Sequence, residues 1–304
     1  MSMPAVYNMF NRGEVSANSV ARDDITKIIN SASLMSNFWP QRLGPMSYRN
    51  GLEYQDTAAG VTYMLPFVKK VNDTAILLFS DDALRIAIDG TIVTRTTVAS
   101  TITNTDFTSN ITGWTTADGV GSMSAWLTGG YASLTGAGTT SAVMYQTITT
   151  TAVEHAIRIV IAEAPARVRI GTSGSLSSDL FDGTLGVGTH SLVFTPSTST
   201  TITFSNSNKY RTLIDSVSFE TTGELSIPTG IVEADIAKIR NHQSVDVVYI
   251  ATEGNKQLQV ERRGLKSWSV VDYRADDGPF DTINISDVTL TAAALSGNTT
   301  LTAS

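Results

Sequence analysis

Alternation of apolar and polar positions dominates the middle of the chain. In 156–161 and 167–170, β-branched residues occupy every second position, the period that gives a sheet one buried face. The segments 191–195, 200–205 and 213–219 repeat this pattern between clusters of Gly, Ser, Asn and Pro. Short strands separated by such turn residues predict a β-sandwich for this part of the chain.

The flanking segments combine strand patterns with two amphipathic runs. The run 23–35 places its isoleucines on one helical face behind an aspartate at the predicted N-cap. The run 229–240 aligns Val232, Ile236 and Ile239, with acidic residues near its N-terminus. We therefore predict two short helices. The other flank segments predicted as strands are 75–79, 84–88 (turning at Asp89-Gly90), 246–250 and 258–262.

Composition divides the chain into three parts. Segment 100–220 contains 41 Ser or Thr residues and only 13 charged residues. A disordered linker has a similar polar content, but it lacks regularly spaced apolar residues that repay chain entropy. We therefore predict a framework domain formed by 1–99 and 221–304, interrupted by a folded β domain at 100–220.

The overall composition excludes several functions. The 304 residues include 28 acidic and 21 basic side chains, a net charge of -7, which disfavours an extended phosphate-binding face. Without cysteine, thiolate metal sites, disulfides and cysteine nucleophiles are absent. No stretch approaches 18 uninterrupted apolar residues, so we predict no membrane insertion.

Motifs for catalysis are also absent. The adjacent carboxylates Asp23-Asp24, Asp81-Asp82 and Asp276-Asp277 are predicted to cap turns, because neighbouring strand residues point to opposite faces. The sequence contains no Gly-x-Ser-x-Gly elbow, His-Glu-x-x-His pair or Gly-Lys-Ser/Thr phosphate loop. We predict that the protein is not an enzyme.

A sugar site would need exposed aromatic rings that stack on a sugar, with polar neighbours for its hydroxyl groups. Trp126 and Tyr131, on either side of Gly129-Gly130, are the surface candidates in 100–220. Trp114 follows Gly113 and is predicted to lie in the core instead.

Short motifs in both flanks occur in a characteristic order. These are Asn11-Arg12-Gly13-Glu14-Val15-Ser16, Ala21-Arg22-Asp23-Asp24, Asn37-Phe38, the Gly-rich turn 44–54, and then 233–240, 243–250 and 257–268, which ends on Trp268. In this order the flanks resemble a family of bacteriophage tail hub or nozzle proteins. The resemblance implies an incomplete propeller-like framework of β-blades.

The resemblance also implies a function and partners. Such a protein forms a ring with copies of itself in the DNA-exit conduit of the virion, after synthesis in the bacterial host cytoplasm. Its neighbours are tail proteins on the adaptor or portal side and on the fibre or spike side, and DNA is only passing cargo. The residues expected at subunit interfaces are Arg22, Asn37, Phe38, Arg49 and Trp268.

Segment 100–220 separately resembles a jelly-roll carbohydrate-binding module, through Asn104-Thr105-Asp106-Phe107, Gly113-Trp114 and the closing 214–219. That resemblance implies a host-surface glycan as a partner. It also implies a structural Ca²⁺ near the joined ends of the domain, with Asp106 and Asp215 as oxygen ligands. The alternative is that Asp106 caps a turn and Asp215 is a solvated strand residue. No other cofactor is expected.

The end of the chain and the role of the flanks each have two interpretations. A hairpin predicted at 288–302 has no covering blade, so we expect either a longer natural protein or a partner that completes the sheet. The alternative to a tail structural component is a carbohydrate-binding adhesin in which the flanks only mount the jelly roll.

Overall fold

The computed structural model describes residues 9–19, 22, 24–55, 57–58, 60–274, 290–292 and 301–303. The chain divides into two compact units, Met1–Asp56 and Thr57–Ser304. It is mainly β, with several antiparallel sheets and two short α-helices, which confirms the predicted fold class. Neither helix has the length and hydrophobicity needed to span a bilayer, a finding that covers the described residues alone.

The N-terminal unit contains few regular elements. They are a 3-10 helix (Ala17–Ser19), α1 (Thr26–Ile29), β1 (Phe38–Pro40) and β2 (Met46–Tyr48). The two strands pair as an antiparallel hairpin, with Phe38 opposite Tyr48.

The second unit contains the remaining elements. The first group is β3 (Tyr63–Lys70), β4 (Asp73–Ser80), β5 (Ala83–Ile88), β6 (Thr91–Ile92) and β7 (Thr94–Arg95). The middle group is β8 (Thr115–Thr116), β9 (Met123–Leu127), β10 (Tyr131–Thr135), β11 (Ala142–Thr149), β12 (His155–Glu163), β13 (Ala166–Gly171), β14 (Phe181–Leu185), β15 (Gly188–Phe194), β16 (Ser199–Asn206) and β17 (Arg211–Phe219). The last group is β18 (Gly223–Glu224), α2 (Glu233–Ile236), β19 (Arg240–Ser244), β20 (Val247–Ala251), β21 (Leu258–Arg262), β22 (Trp268–Asp272), β23 (Leu290–Ala292) and β24 (Leu301–Ala303).

Both helices are much shorter than the amphipathic runs that predicted them. The N-cap of α1 is Ile25, whose side chain makes no capping bond, and the predicted cap Asp23 lies outside the described residues. No residue of α1 is buried, so the apolar face of a longer helix would have no core to pack against. Ala32 instead exchanges backbone hydrogen bonds with Gly13 and Val15.

The framework consists of two four-stranded antiparallel meanders around one hydrophobic core. The first meander is β3-β4-β5-β6, and the second is β19-β20-β21-β22. Asp89 and Gly90 both have positive φ, 50° and 79°, which fits the two-residue turn between β5 and β6. The core contains Phe67, Leu77, Phe79, Leu84, Ile86, Ile227, Ile236, Val248, Ile250, Val260 and Trp268, among others.

The middle group forms the predicted sandwich. One layer is β14-β13-β16-β11-β8, and the other is β15-β12-β17-β10-β9. Their facing side chains make a second core that runs from Ile102 to Val217. Trp114 lies in this core, where its ring packs against Phe107 and Phe204, as the sequence predicted.

The sandwich and the framework share one continuous sheet. Strand β15 of the sandwich pairs with β22 of the framework, so nine strands run without interruption from β9 to β19. Gly188 begins this pairing with φ of +139°, and a Cβ there would lie 2.2 Å from the carbonyl oxygen of Val270. A side chain at position 188 would therefore force the two strands apart.

A buried histidine lies in the shared pairing. His190 is opposite Ser269 and has no exposed surface. Its Nε2 donates to the Gly186 carbonyl oxygen (2.9 Å), and its Nδ1 accepts from the Ser269 hydroxyl (2.8 Å). Both contacts suit the neutral ring, and burial lowers the pKa of His190 from 6.5 to about 4.

We predict that acid destabilises this junction through His190. The unfolded chain binds a proton at this ring below about pH 6.5, whereas the folded chain resists protonation until about pH 4. The contribution of His190 to stability is therefore complete above pH 6.5 and is lost as the pH falls toward 4. Urea unfolding at several pH values should show a shallower fall in stability over this range for His190→Gln than for wild type. His242→Gln, at an exposed strand position, should keep the wild-type slope; an unchanged slope in His190→Gln would contradict the assignment.

Candidate functional site

The two aromatic residues predicted to bind sugar do not form one surface. Trp126 lies opposite Ala132, and Tyr131 lies opposite Leu127. Since Tyr131 and Ala132 are neighbours in β10, their side chains point to opposite faces of the sheet, and so do the rings of Trp126 and Tyr131. The indole Nε1 of Trp126 donates to the Phe107 carbonyl oxygen at 2.7 Å. A shared stacking platform is therefore not built by this pair.

The two predicted calcium ligands lie in neighbouring segments. The Val217 amide donates to the Thr105 carbonyl oxygen at 2.7 Å, so the ends of the sandwich meet there. Asp106 accepts a hydrogen bond from the Thr108 amide, and Asp215 accepts one from the Ser216 hydroxyl. The hydrogen bonds from Thr108 lower the pKa of Asp106. Within the described ranges, no three His, Asp or Glu side chains are grouped to hold a metal, and the calcium ion stays a prediction.

Trp268 is not an interface residue. Its side chain is completely buried in the framework core. Its ring contacts Phe67 edge-on at 5.1 Å, and its Nε1 donates to the Leu265 carbonyl oxygen. The prediction that it contacts a neighbouring subunit was wrong, because a large apolar ring at the start of a central strand is taken into the core of its own domain.

The other four predicted interface residues lie in the N-terminal unit. Asn37 has a positive φ of 62°, and its carbonyl oxygen accepts from the Arg49 amide. The Phe38 ring packs against Tyr48 at a centroid distance of 4.8 Å. Arg22 forms an exposed ion pair with Asp24 at 2.8 Å. Asn37, Phe38 and Arg49 thus belong to one hairpin, and Arg22 precedes α1.

The N-terminal unit has an unusual distribution of apolar surface. None of its hydrophobic side chains that the structure describes is buried. The exposed fraction is 60% for Trp39, 92% for Leu43 and 86% for Leu52. Other exposed apolar side chains here are Met9, Ile29, Leu34, Tyr48 and Tyr54. We call this set, together with Trp39, Leu43 and Leu52, the N-terminal apolar surface. Trp39, Tyr48 and Leu52 line one cavity of it, and apolar side chains grouped at a protein surface mark interaction sites.

A charged cluster occupies the connection between framework and sandwich. Glu220 is buried and accepts from Arg95 Nε (2.6 Å), from Arg158 Nε and Nη2 (2.9 and 2.8 Å) and from the Ser191 hydroxyl (2.6 Å). Arg95 also donates to the Lys266 carbonyl oxygen and to Ser191. One carboxylate therefore holds two guanidinium groups, one from β7 of the framework and one from β12 of the sandwich.

This cluster lines a cavity of about 540 Å³. The strands β7 and β18, which lead into and out of the sandwich, pair beside it, with Gly223 opposite Arg95. Each carboxylate oxygen of Glu220 has an arginine partner, so the cluster has a structural role. It fixes the orientation of the sandwich on the framework.

Sequence reasoning missed this cluster. Arg158 is the one charged position between the alternating isoleucines of β12, and a charge at a sheet position is a signal of a buried or paired site. Its partners Arg95 and Glu220 are 63 and 62 positions away in the sequence, so no local pattern could identify them. Arg262 and Lys266 form separate ion pairs, with Asp73 and Glu154 respectively.

The pair Asp81-Asp82 makes the turn and capping contacts that the sequence predicted, whereas Asp24 pairs with the Arg22 guanidinium instead. Asp82 accepts from the Thr229 and Gly230 amides, and Asp81 accepts from the Glu233 amide at the start of α2. These are turn and capping contacts. The pair Asp276-Asp277 lies outside the described residues.

Comparisons with known proteins do not assign this chain to a family. No family model matches the chain, and no curated protein is significantly similar to it. A solved structure described as "CBM4 structure and function" aligns with 42% of this chain and 99% of its own, at 14% identity and a TM-score of 0.26. A similarity this weak supports no argument about fold or function.

We predict that Glu220→Gln strongly destabilises the second unit. The substitution leaves two arginines without a counter-charge, one of them buried, and breaking such a buried pair costs about 3–5 kcal/mol. The matched control is Glu163→Gln, which removes an exposed ion pair with Arg211 and should cost less than about 1 kcal/mol. Chemical denaturation followed by circular dichroism measures both. Equal losses in the two variants would contradict a structural role for Glu220.

Proposed function

We propose that the protein is a structural subunit of a bacteriophage tail, of the hub or nozzle type, that assembles with copies of itself into a ring. The order of the motifs in both flanks, from Asn11 to Trp268, supports a relationship to this family. The observation that carries the assembly role is the N-terminal apolar surface. In this proposal the surface is covered by a neighbouring subunit in the virion.

The N-terminal unit gains little stability from its own apolar side chains. A segment that buries none of its described hydrophobic side chains gains little from the hydrophobic effect to offset its chain entropy. Burying a side chain such as Trp39, Leu43 or Leu52 against a partner contributes about 1.5–3 kcal/mol each. An interface of the usual size, about 800 Å² per partner, can include several of them.

A ring also suits the charge and the attachment of the sandwich. DNA that slides through a conduit gains nothing from tight phosphate binding, so a net charge of -7 is compatible with the role. The shared sheet and the Glu220 cluster hold the sandwich rigidly on the framework. We propose that the sandwich is displayed outward from the ring. Nothing in this role requires catalysis.

We predict that the full chain forms ring-shaped oligomers that depend on the N-terminal apolar surface. The test variant combines Trp39→Ser, Leu43→Ser and Leu52→Ser. These three side chains are exposed in the single chain and would be buried at the proposed interface. Removing them should weaken assembly by at least about a hundredfold. Analytical ultracentrifugation gives the dissociation constant, and negative-stain electron microscopy shows the shape of the oligomers.

The matched control replaces three exposed apolar residues of the second unit, Val120→Ser, Leu176→Ser and Leu265→Ser. It should assemble like wild type. Wild-type protein that stays monomeric at all concentrations would contradict the proposal, and so would equal weakening by the two triple variants.

A further inference from the structure

A small cavity opens on the outer side of the second framework meander. Its volume is about 350 Å³, within the range of about 300–1,000 Å³ that small-molecule sites occupy. Strands β19, β20 and β21 contribute to it, together with the residue that follows β22. The lining residues are Arg240, Asn241, His242, Tyr249, Ile250, Ala251, Gln257, Leu258 and Tyr273.

Two tyrosine rings form one wall of this cavity. The rings of Tyr249 and Tyr273 meet edge to face, with centroids 5.6 Å apart and an angle of 86° between their planes. An edge-to-face contact covers at most one face of one ring, and Tyr273 is exposed, so ring faces remain available for a ligand to stack on. Ile250 and Leu258, neighbours of this wall in β20 and β21, are buried in the framework core and fix the strands that carry it.

Four polar groups around the wall are uncommitted. The side chains of His242 and Gln257 and the two tyrosine hydroxyls make no hydrogen bond within the described part of the chain. His242 lies directly opposite Tyr249, so their side chains share one face of the sheet. The Tyr273 amide donates to the Gln257 carbonyl oxygen, which brings Gln257 beside the second ring.

The chemistry of these groups selects a class of ligand. Neutral imidazole, carboxamide and phenol each both donate and accept hydrogen bonds, as sugar hydroxyl groups do. A phosphate would need several donors and positive charge, whereas Arg240 alone among the described lining residues has a fixed charge, and its Nη1 already donates to the Ile239 carbonyl oxygen. A pyranose ring has an apolar C–H face for the tyrosines and hydroxyls for the rim.

We propose that this cavity binds a sugar ring, with Tyr249 and Tyr273 as the stacking wall and His242 and Gln257 as hydrogen-bonding partners of its hydroxyls. The site goes beyond the proposed assembly role, because none of its residues belongs to the N-terminal apolar surface. It also lies in the framework, away from Trp126 and Tyr131 of the sandwich. Recognition of a surface glycan would then be a second activity of the same chain.

The test measures sugar binding by the full-length protein. Saturation-transfer NMR with glucose, galactose, mannose, rhamnose, N-acetylglucosamine and N-acetylgalactosamine, each also presented as a disaccharide, identifies a bound sugar through its C–H protons. Titration calorimetry then gives its affinity. We expect at least one sugar to bind. Tyr273→Ala should weaken binding by about tenfold or more, and Tyr273→Phe, which keeps the ring, should stay within about threefold of wild type.

Tyr210→Ala is the matched control, because Tyr210 is an exposed tyrosine elsewhere in the same unit, and it should bind like wild type. His242→Ala and Gln257→Ala test the rim independently and keep the test decisive if Tyr273→Ala does not fold. The proposal is overturned if none of the sugars binds, or if Trp126→Ala removes binding while the cavity variants retain it. Ring assembly is measured separately, so failure here leaves the assembly result intact.

Discussion

The pairing of β15 with β22 is the interaction on which the architecture of the second unit depends. It joins a strand of the sandwich to a strand of the framework, and so turns two sheets into one of nine strands. Without it, β15 and β22 would each be an open edge with unpaired amides and carbonyls. The glycine at position 188 permits the close approach, and the neutral His190 satisfies its polar contacts inside the junction.

The same junction explains why a buried ion cluster is tolerated beside it. Burying a charge pair is costly unless the geometry and the remaining hydrogen bonds are good. Glu220 has both, since two arginines and Ser191 fill its acceptor positions. The pairing of β15 with β22 fixes the position of the sandwich along the framework. The Glu220 cluster fixes β7 and β18, which connect the framework to the sandwich. Together they exclude a freely hinged sandwich.

Local periodicity predicted most of the strands, because alternation in a segment such as 156–161 records which side faces a core. It predicted the lengths of the helices poorly. The length of a helix depends on what its apolar face packs against, and no residue of α1 is buried in a core. Trp268 and the Glu220 cluster depend on contacts between distant segments, which no local pattern encodes. Tyr249 had a usable signal: it stands between Val248 and Ile250, and alternation places it outward.

Side-chain contacts join the outer strands of the two framework meanders. Gln243 of β19 accepts from the Val68 amide of β3 and donates to its carbonyl oxygen. Asn241 likewise donates to the Tyr63 hydroxyl, and Lys69 pairs with Asp246. Side chains thus bridge the outer strands of the two meanders, and Gln243 occupies the Val68 backbone groups that strand addition at this point of β3 would need. Under the proposed assembly role, packing on the N-terminal apolar surface is therefore favoured over sheet extension at β3.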